Sequence, residues 1–182
     1  ANDPDTGLFL IGDPKQAIYS FRGADIYSYL AARQATAGRH YSLDTNYRST
    51  HAMVEAVNQL FVRAAEYPQG AFLFGGEGED SLEYRPVKAN GRATDWQVAG
   101  ESQPALTFWH LPGDDKRLAK GAYTTTMAER CASEIVRLLN SADTGFASVQ
   151  EGFQPLQASD IAVLVRGRGE AREVRAALAE RQ

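Results

Sequence analysis

Five consecutive apolar residues, Ile161-Ala162-Val163-Leu164-Val165, leave no polar position that could face water. Three of them are β-branched, which favours a strand over a helix. A strand without alternation is normally covered on both faces, as in a parallel sheet. Leu8-Phe9-Leu10-Ile11 has the same character and closes on Gly12-Asp13-Pro14, a tight-loop signal. Residues 41–44 read as a second short strand, Leu82 to Val87 as an edge strand, and Leu106 to Leu111 as a strand alternating around Phe108 and Trp109.

Helical spacing separates these runs. Ala24 to Arg33 places Ile26, Tyr29 and Leu30 on one face. Met53, Val54, Val57, Leu60, Phe61 and Ala64 mark a second helix, which Ser49 or Thr50 can cap by accepting from free backbone N–H groups. Thr126-Met127-Ala128-Glu129 fits a capping box, so a third helix is expected behind it, with Ala128, Cys131, Ala132, Ile135, Leu138 and Leu139 inward. Gly169 to Arg181 reads as a fourth. Tyr67 to Gln103 reads as a long loop or small irregular hairpin, Asp114 to Tyr123 as a polar connection and Asn140 to Asp160 as loop. Strands alternating with helices predict an α/β fold with a mainly parallel sheet and flanking helices.

Composition narrows the chemistry. The 182 residues carry 19 Lys and Arg against 23 Asp and Glu, a net charge of −4. Any contact with nucleic acid must therefore come from a local patch rather than a basic surface. One cysteine, Cys131, rules out an internal disulfide and a zinc cluster. His40, His51 and His110 show no metal-ligand spacing, so no metal site is expected. There is no apolar run of membrane-spanning length and no basic-then-apolar leader pattern, which predicts a soluble cytoplasmic protein without membrane contact.

Two segments carry candidate chemistry. In Gly12 to Asp25, directly after a predicted strand, Gln16 offers an amide to a phosphate oxygen. Tyr19, Phe21 and Arg22 combine stacking surfaces with a phosphate-neutralising guanidinium, although aromatics in such a loop also simply pack. In Leu43-Asp44-Thr45-Asn46-Tyr47-Arg48-Ser49-Thr50, Arg48 could stabilise charge on a transferred phosphoryl group and Tyr47 could stack on a base. Arg48 could equally form an ion pair with Asp44.

In order and spacing the two segments resemble motifs III and IV of the UvrD/Rep/PcrA superfamily 1 helicases. The strings Leu10 to Asp25 and Asp160-Ile161-Ala162-Val163-Leu164-Val165-Arg166 are most similar to the RecB-type helicase–nucleases of exodeoxyribonuclease V. The resemblance implies an internal piece of a RecA-like, P-loop-type motor. Residues 1–38 would close the first motor domain, and 39–182 would form part of the second, up to a large insertion. It implies that Gln16 senses the γ-phosphate, Tyr47 stacks on adenine and Arg48 contacts the γ-phosphate. Tyr19, Phe21 and Arg22 would lie along single-stranded DNA. Arg166 and Arg168 would also touch DNA; Arg168 stands where many relatives carry asparagine.

ATP and Mg²⁺ are the implied cofactors of the parent. Its implied partners are DNA, as single strand and duplex end, and RecC-like and RecD-like subunits. No Gly-x-x-x-x-Gly-Lys-Ser/Thr loop, acidic magnesium motif, motif V, motif VI or nuclease signature occurs in these residues. The expectation is a half-motor that neither hydrolyses ATP nor unwinds DNA alone. The alternatives are a stand-alone module for single-stranded DNA without ATP hydrolysis, and a degenerate scaffold.

Overall fold

The computed structural model describes residues 7–14, 26–68, 70–72, 82, 84–112 and 118–181. The chain divides into two compact units, Ala1–Thr45 with Val57–Lys88, and Asn46–Ala56 with Ala89–Gln182.

In the first unit α1 spans Ile26–Ala35 and buries Leu30, as the apolar spacing predicts. The helix α2, His51–Ala65, begins in the second unit and runs into the first. Its Asn58 is buried and makes three side-chain hydrogen bonds. The amide Nδ2 donates to the Val87 carbonyl (2.9 Å), and Oδ1 accepts from the Val87 N–H (3.1 Å) and the Tyr84 hydroxyl (2.7 Å). Burial raises the Tyr84 phenol above its usual pKa. Phe61 stacks on Tyr84 and Phe72 at centroid distances of 5.0 and 5.5 Å. A polar anchor and an aromatic stack therefore fix residues 84–87 along the helix. Leu82 to Val87 form no strand among the described residues; the short β2 follows at Lys88–Ala89 and pairs with β1, Thr45–Asn46.

The second unit holds a four-stranded sheet in the order β4-β3-β5-β6, with β3 at Thr94–Val98, β4 at Glu101–Ser102, β5 at Gly145–Ser148 and β6 at Gly152–Pro155. Every pairing within this four-stranded sheet is antiparallel, which corrects the expected mainly parallel sheet. Trp96 faces Phe146 across β3 and β5, with ring centroids 5.2 Å apart. Residues 94–102 are a hairpin, one of the two forms expected for that stretch, whereas the β5–β6 hairpin replaces an expected loop.

The apolar runs behave differently from expectation. Residues 8–11, 41–44, 106–111 and 161–165 have no strand ladder. Ile11 and Leu164 are each 97% exposed and Leu43 99%. The physical reason is pairing. A strand of a parallel sheet needs non-local neighbours, whereas the two hairpins find partners within a few residues.

The helix α3 covers Lys120–Leu139 and starts six residues before Thr126, so Thr126 to Glu129 lie inside it and form no capping box. The Thr124 hydroxyl bonds back to the Lys120 carbonyl (2.9 Å) and leaves the helix uninterrupted. A 3₁₀ turn at Ala158–Asp160 precedes α4, Arg168–Ala179. Ala128, Ala132 and Ala177 form the contact of α3 with α4, flanked by Val174 and Leu178. Three alanines allow close approach of the two backbones. Arg181 closes the pair, donating from Nε to Ser133 Oγ (3.0 Å) and from Nη1 to the Ala177 carbonyl (2.7 Å). Burial raises the Cys131 thiol pKa, as expected of a packed rather than a reactive cysteine.

Candidate functional site

The turn from Asn46 to Thr50 is built by short polar side chains acting on backbone. Asn46 Oδ1 accepts from the N–H groups of Arg48 and Ser49, both at 2.9 Å, an Asx turn. Thr50 Oγ1 accepts from the Met53 N–H (3.3 Å), so Thr50 caps α2. On the other side Asn90 N–H donates to the Asn46 carbonyl (2.8 Å). Gly91 passes so close that a Cβ there would lie 2.1 Å from the Ser49 carbonyl oxygen. The turn is therefore clamped from within and from one flank, and its two large side chains project outward. Tyr47 is 67% exposed and Arg48 is exposed.

The Asp44 carboxylate takes other partners than the arginine weighed for it. It accepts from the Thr45 hydroxyl (3.1 Å) and lies 3.5 Å from Lys88 Nζ. These hold its pKa below the ordinary carboxylate value, the Thr45 hydrogen bond first and Lys88 next. Among the described residues the Arg48 guanidinium has no ion-pair or hydrogen-bond partner. An unpaired guanidinium on a rigid turn, beside an exposed phenol ring, is suited to a phosphate next to a planar base.

The second group lies where the chain enters α4. Arg166 is held by Glu170, with Nη2 at 2.9 Å and Nε at 3.1 Å from Oε1, while its backbone N–H donates to Oε2 (2.8 Å). These bonds, the backbone one foremost, lower the Glu170 pKa. Arg168, the first residue of α4, is exposed and has no partner among the described residues. A groove of about 560 Å³ between the starts of α3 and α4 is lined by Lys120, Thr124, Thr125, Arg166, Arg172 and Glu173 among others.

Gln16, Tyr19, Phe21 and Arg22 lie outside the described residues. Two contributors escaped the sequence reading. Asn46 shapes the turn, and its signal was an Asn two residues before an arginine at a strand end. Glu170 fixes Arg166, and its signal was the i,i+4 spacing in a first helical turn. Among the described residues no three His, Cys, Asp or Glu side chains converge, so ligands for magnesium are not assigned to them.

The family model for the UvrD/REP helicase N-terminal domain matches residues 1–37. Over 181 residues the chain is 44% identical to RecBCD enzyme subunit RecB of Escherichia coli K12, covering 97% of this chain and 14% of that protein. The chain belongs to the RecB family. RecB of Haemophilus influenzae is 37% identical over 93% of the chain, and that of Mycobacterium tuberculosis H37Rv 34% identical over 96%. Coverage of those two RecB proteins is 13% and 15%, so the chain spans about one-seventh of the length of its relatives. No helix among the described residues is long and apolar enough to cross a membrane.

Proposed function

We propose that this chain contributes nucleotide- and DNA-contacting parts of an ATP-driven DNA helicase subunit that acts in double-strand break repair and recombination. The observation that carries the reading is the Arg48 guanidinium, unpaired among the described residues, on a turn clamped by Asn46, Thr50 and Gly91 within a RecB-family sequence. Arg48 contacts the γ-phosphate of ATP and stabilises charge as the phosphoryl group departs. Tyr47 stacks on the adenine. Gln16 reports the state of the γ-phosphate, and Tyr19, Phe21, Arg22, Arg166 and Arg168 lie along the single strand. ATP with Mg²⁺ supplies the driving reaction; from the described residues, Tyr47 and Arg48 fit the nucleotide.

In this reading residues 1–38 close one RecA-like motor domain and 39–182 form part of the next. The exposed runs at 8–11, 41–44, 106–111 and 161–165 are strands of those motor sheets, completed by the remaining parts of a subunit that is about seven times longer in the relatives. One wall of a two-domain cleft cannot orient phosphate, metal and water together, so the chain alone does not turn over ATP. RecC-like and RecD-like subunits and a DNA end are the partners of the whole subunit, which also carries the exonuclease.

The deciding experiment is Arg48→Ala in the full-length subunit within its complex. DNA-stimulated ATP turnover is expected to fall at least about 10³-fold, the range for a phosphate-contacting arginine, while binding to a DNA end persists. Turnover close to the parent value overturns the role of Arg48.

A further inference from the structure

On the surface of α4, Arg168, Arg172 and Arg175 follow one another at spacings of four and three residues. At 3.6 residues per turn they fall within roughly 60° of one another and span about 10 Å along the axis. All three are exposed, and among the described residues none has an ion-pair or hydrogen-bond partner. Ala177, which packs on α3, lies on roughly the opposite face. The acidic residues of α4 lie elsewhere: Glu170 turns back to Arg166, and Glu173 follows it on the flank. A twelve-residue helix in a chain of net charge −4 thus presents a purely cationic outer face.

Three exposed arginines in register, none of them ion-paired among the described residues, form a ladder of planar donors matched to a repeating anion. We infer that the arginine face of α4 binds the phosphate backbone of single-stranded DNA, with Arg172 and Arg175 extending the contact beyond Arg168. This rests on the DNA reading of the α4 entry given above. Because the face offers guanidinium groups and no aromatic ring, it recognises backbone without regard to base sequence.

The test measures the affinity of the 182-residue chain for a fluorescent oligothymidylate against salt concentration. Each phosphate contact contributes about 0.7 to the slope of log K against log salt for a single strand. Arg172→Gln with Arg175→Gln is expected to lower that slope by about 1.4, whereas Arg172→Lys with Arg175→Lys keeps it. Arg63→Gln with Arg85→Gln, which removes the same charge elsewhere, is expected to leave it unchanged. No binding by the parent chain overturns the DNA reading and this inference together. Binding with a slope indifferent to the α4 glutamines overturns the inference alone. Polyglutamate binding that depends on the α4 arginines, with DNA binding that does not, assigns the face to an acidic protein and also overturns it.

Discussion

Glu170 grips Arg166 at three points, the backbone N–H and two guanidinium nitrogens, and so fixes the direction in which the chain enters α4. The grip depends on charge. Glu170 has a folded pKa below its ordinary value of 4.5, so its contribution to stability is complete above that value and disappears as pH falls through the lower folded value. Urea unfolding across the acid range should show this loss in the parent. Glu170→Gln should remove that part of the pH dependence. A variant with the parent's acid slope would show that the carboxylate does not fix the α4 entry.

The β3–β4 hairpin turns on Ala99 and Gly100, with φ of 52° and 78°. Two left-handed residues in a two-residue loop suit Asn-Gly, and alanine there is strained by on the order of 1 kcal/mol. Ala99→Asn is expected to stabilise the unit by roughly that amount, read as a higher urea midpoint with an unchanged m-value. A lower midpoint would mean that the turn is not of this type in solution.

Gly145 opens β5 where β6 approaches most closely. A Cβ at this position would stand 2.1 Å from the Gln154 carbonyl oxygen and 2.9 Å from Pro155 Cα. Both are backbone atoms, so relief requires the strands to part. Gly145→Ala should cost about 1–3 kcal/mol, the range for overpacking, against little change for Gly121→Ala, which meets nothing within 4 Å. Equal stability of the two variants would contradict the register of β5 on β6.

These elements show what the sequence could convey. Helices α1, α2 and α4 were legible because their apolar spacing and the Thr50 cap are local. The start of α3 was not, because Thr126 with Glu129 imitates a cap, whereas the helix begins six residues earlier behind Ala119, which offers no side-chain cap. β5 and β6 were hidden by their content: Gly145, Gly152 and Pro155 read as loop, and only the pairing of Trp96 with Phe146 gives the sheet an aromatic cross-strand contact. Ile161 to Val165 misled in the other direction, since an apolar run specifies a wish for burial and not the partner that supplies it. At the site, Tyr47 and Arg48 were legible by type. The freedom of Arg48 was not, because Thr45 and Lys88 as partners of Asp44 emerge only in three dimensions.

Asn46 gives the site its sharpest test, since it touches no ligand in the proposed reading and acts only by shaping the turn. Its Oδ1 satisfies two N–H groups that would otherwise point to solvent. Asn46→Asp keeps an acceptor at that atom; Asn46→Ala removes it and loosens the turn by about 1 kcal/mol, the net value of such bonds. In the full-length subunit Asn46→Ala should lower kcat for DNA-dependent ATP turnover roughly tenfold to a hundredfold, because small displacements of a phosphate-contacting group are costly. KM for ATP should change less, since Tyr47 retains its exposed ring, and Asn46→Asp should recover most of the rate. Equal losses in the Ala and Asp variants would assign Asn46 a direct contact instead of a positioning role. No loss in either would mean that Arg48 needs no fixed turn to do its work.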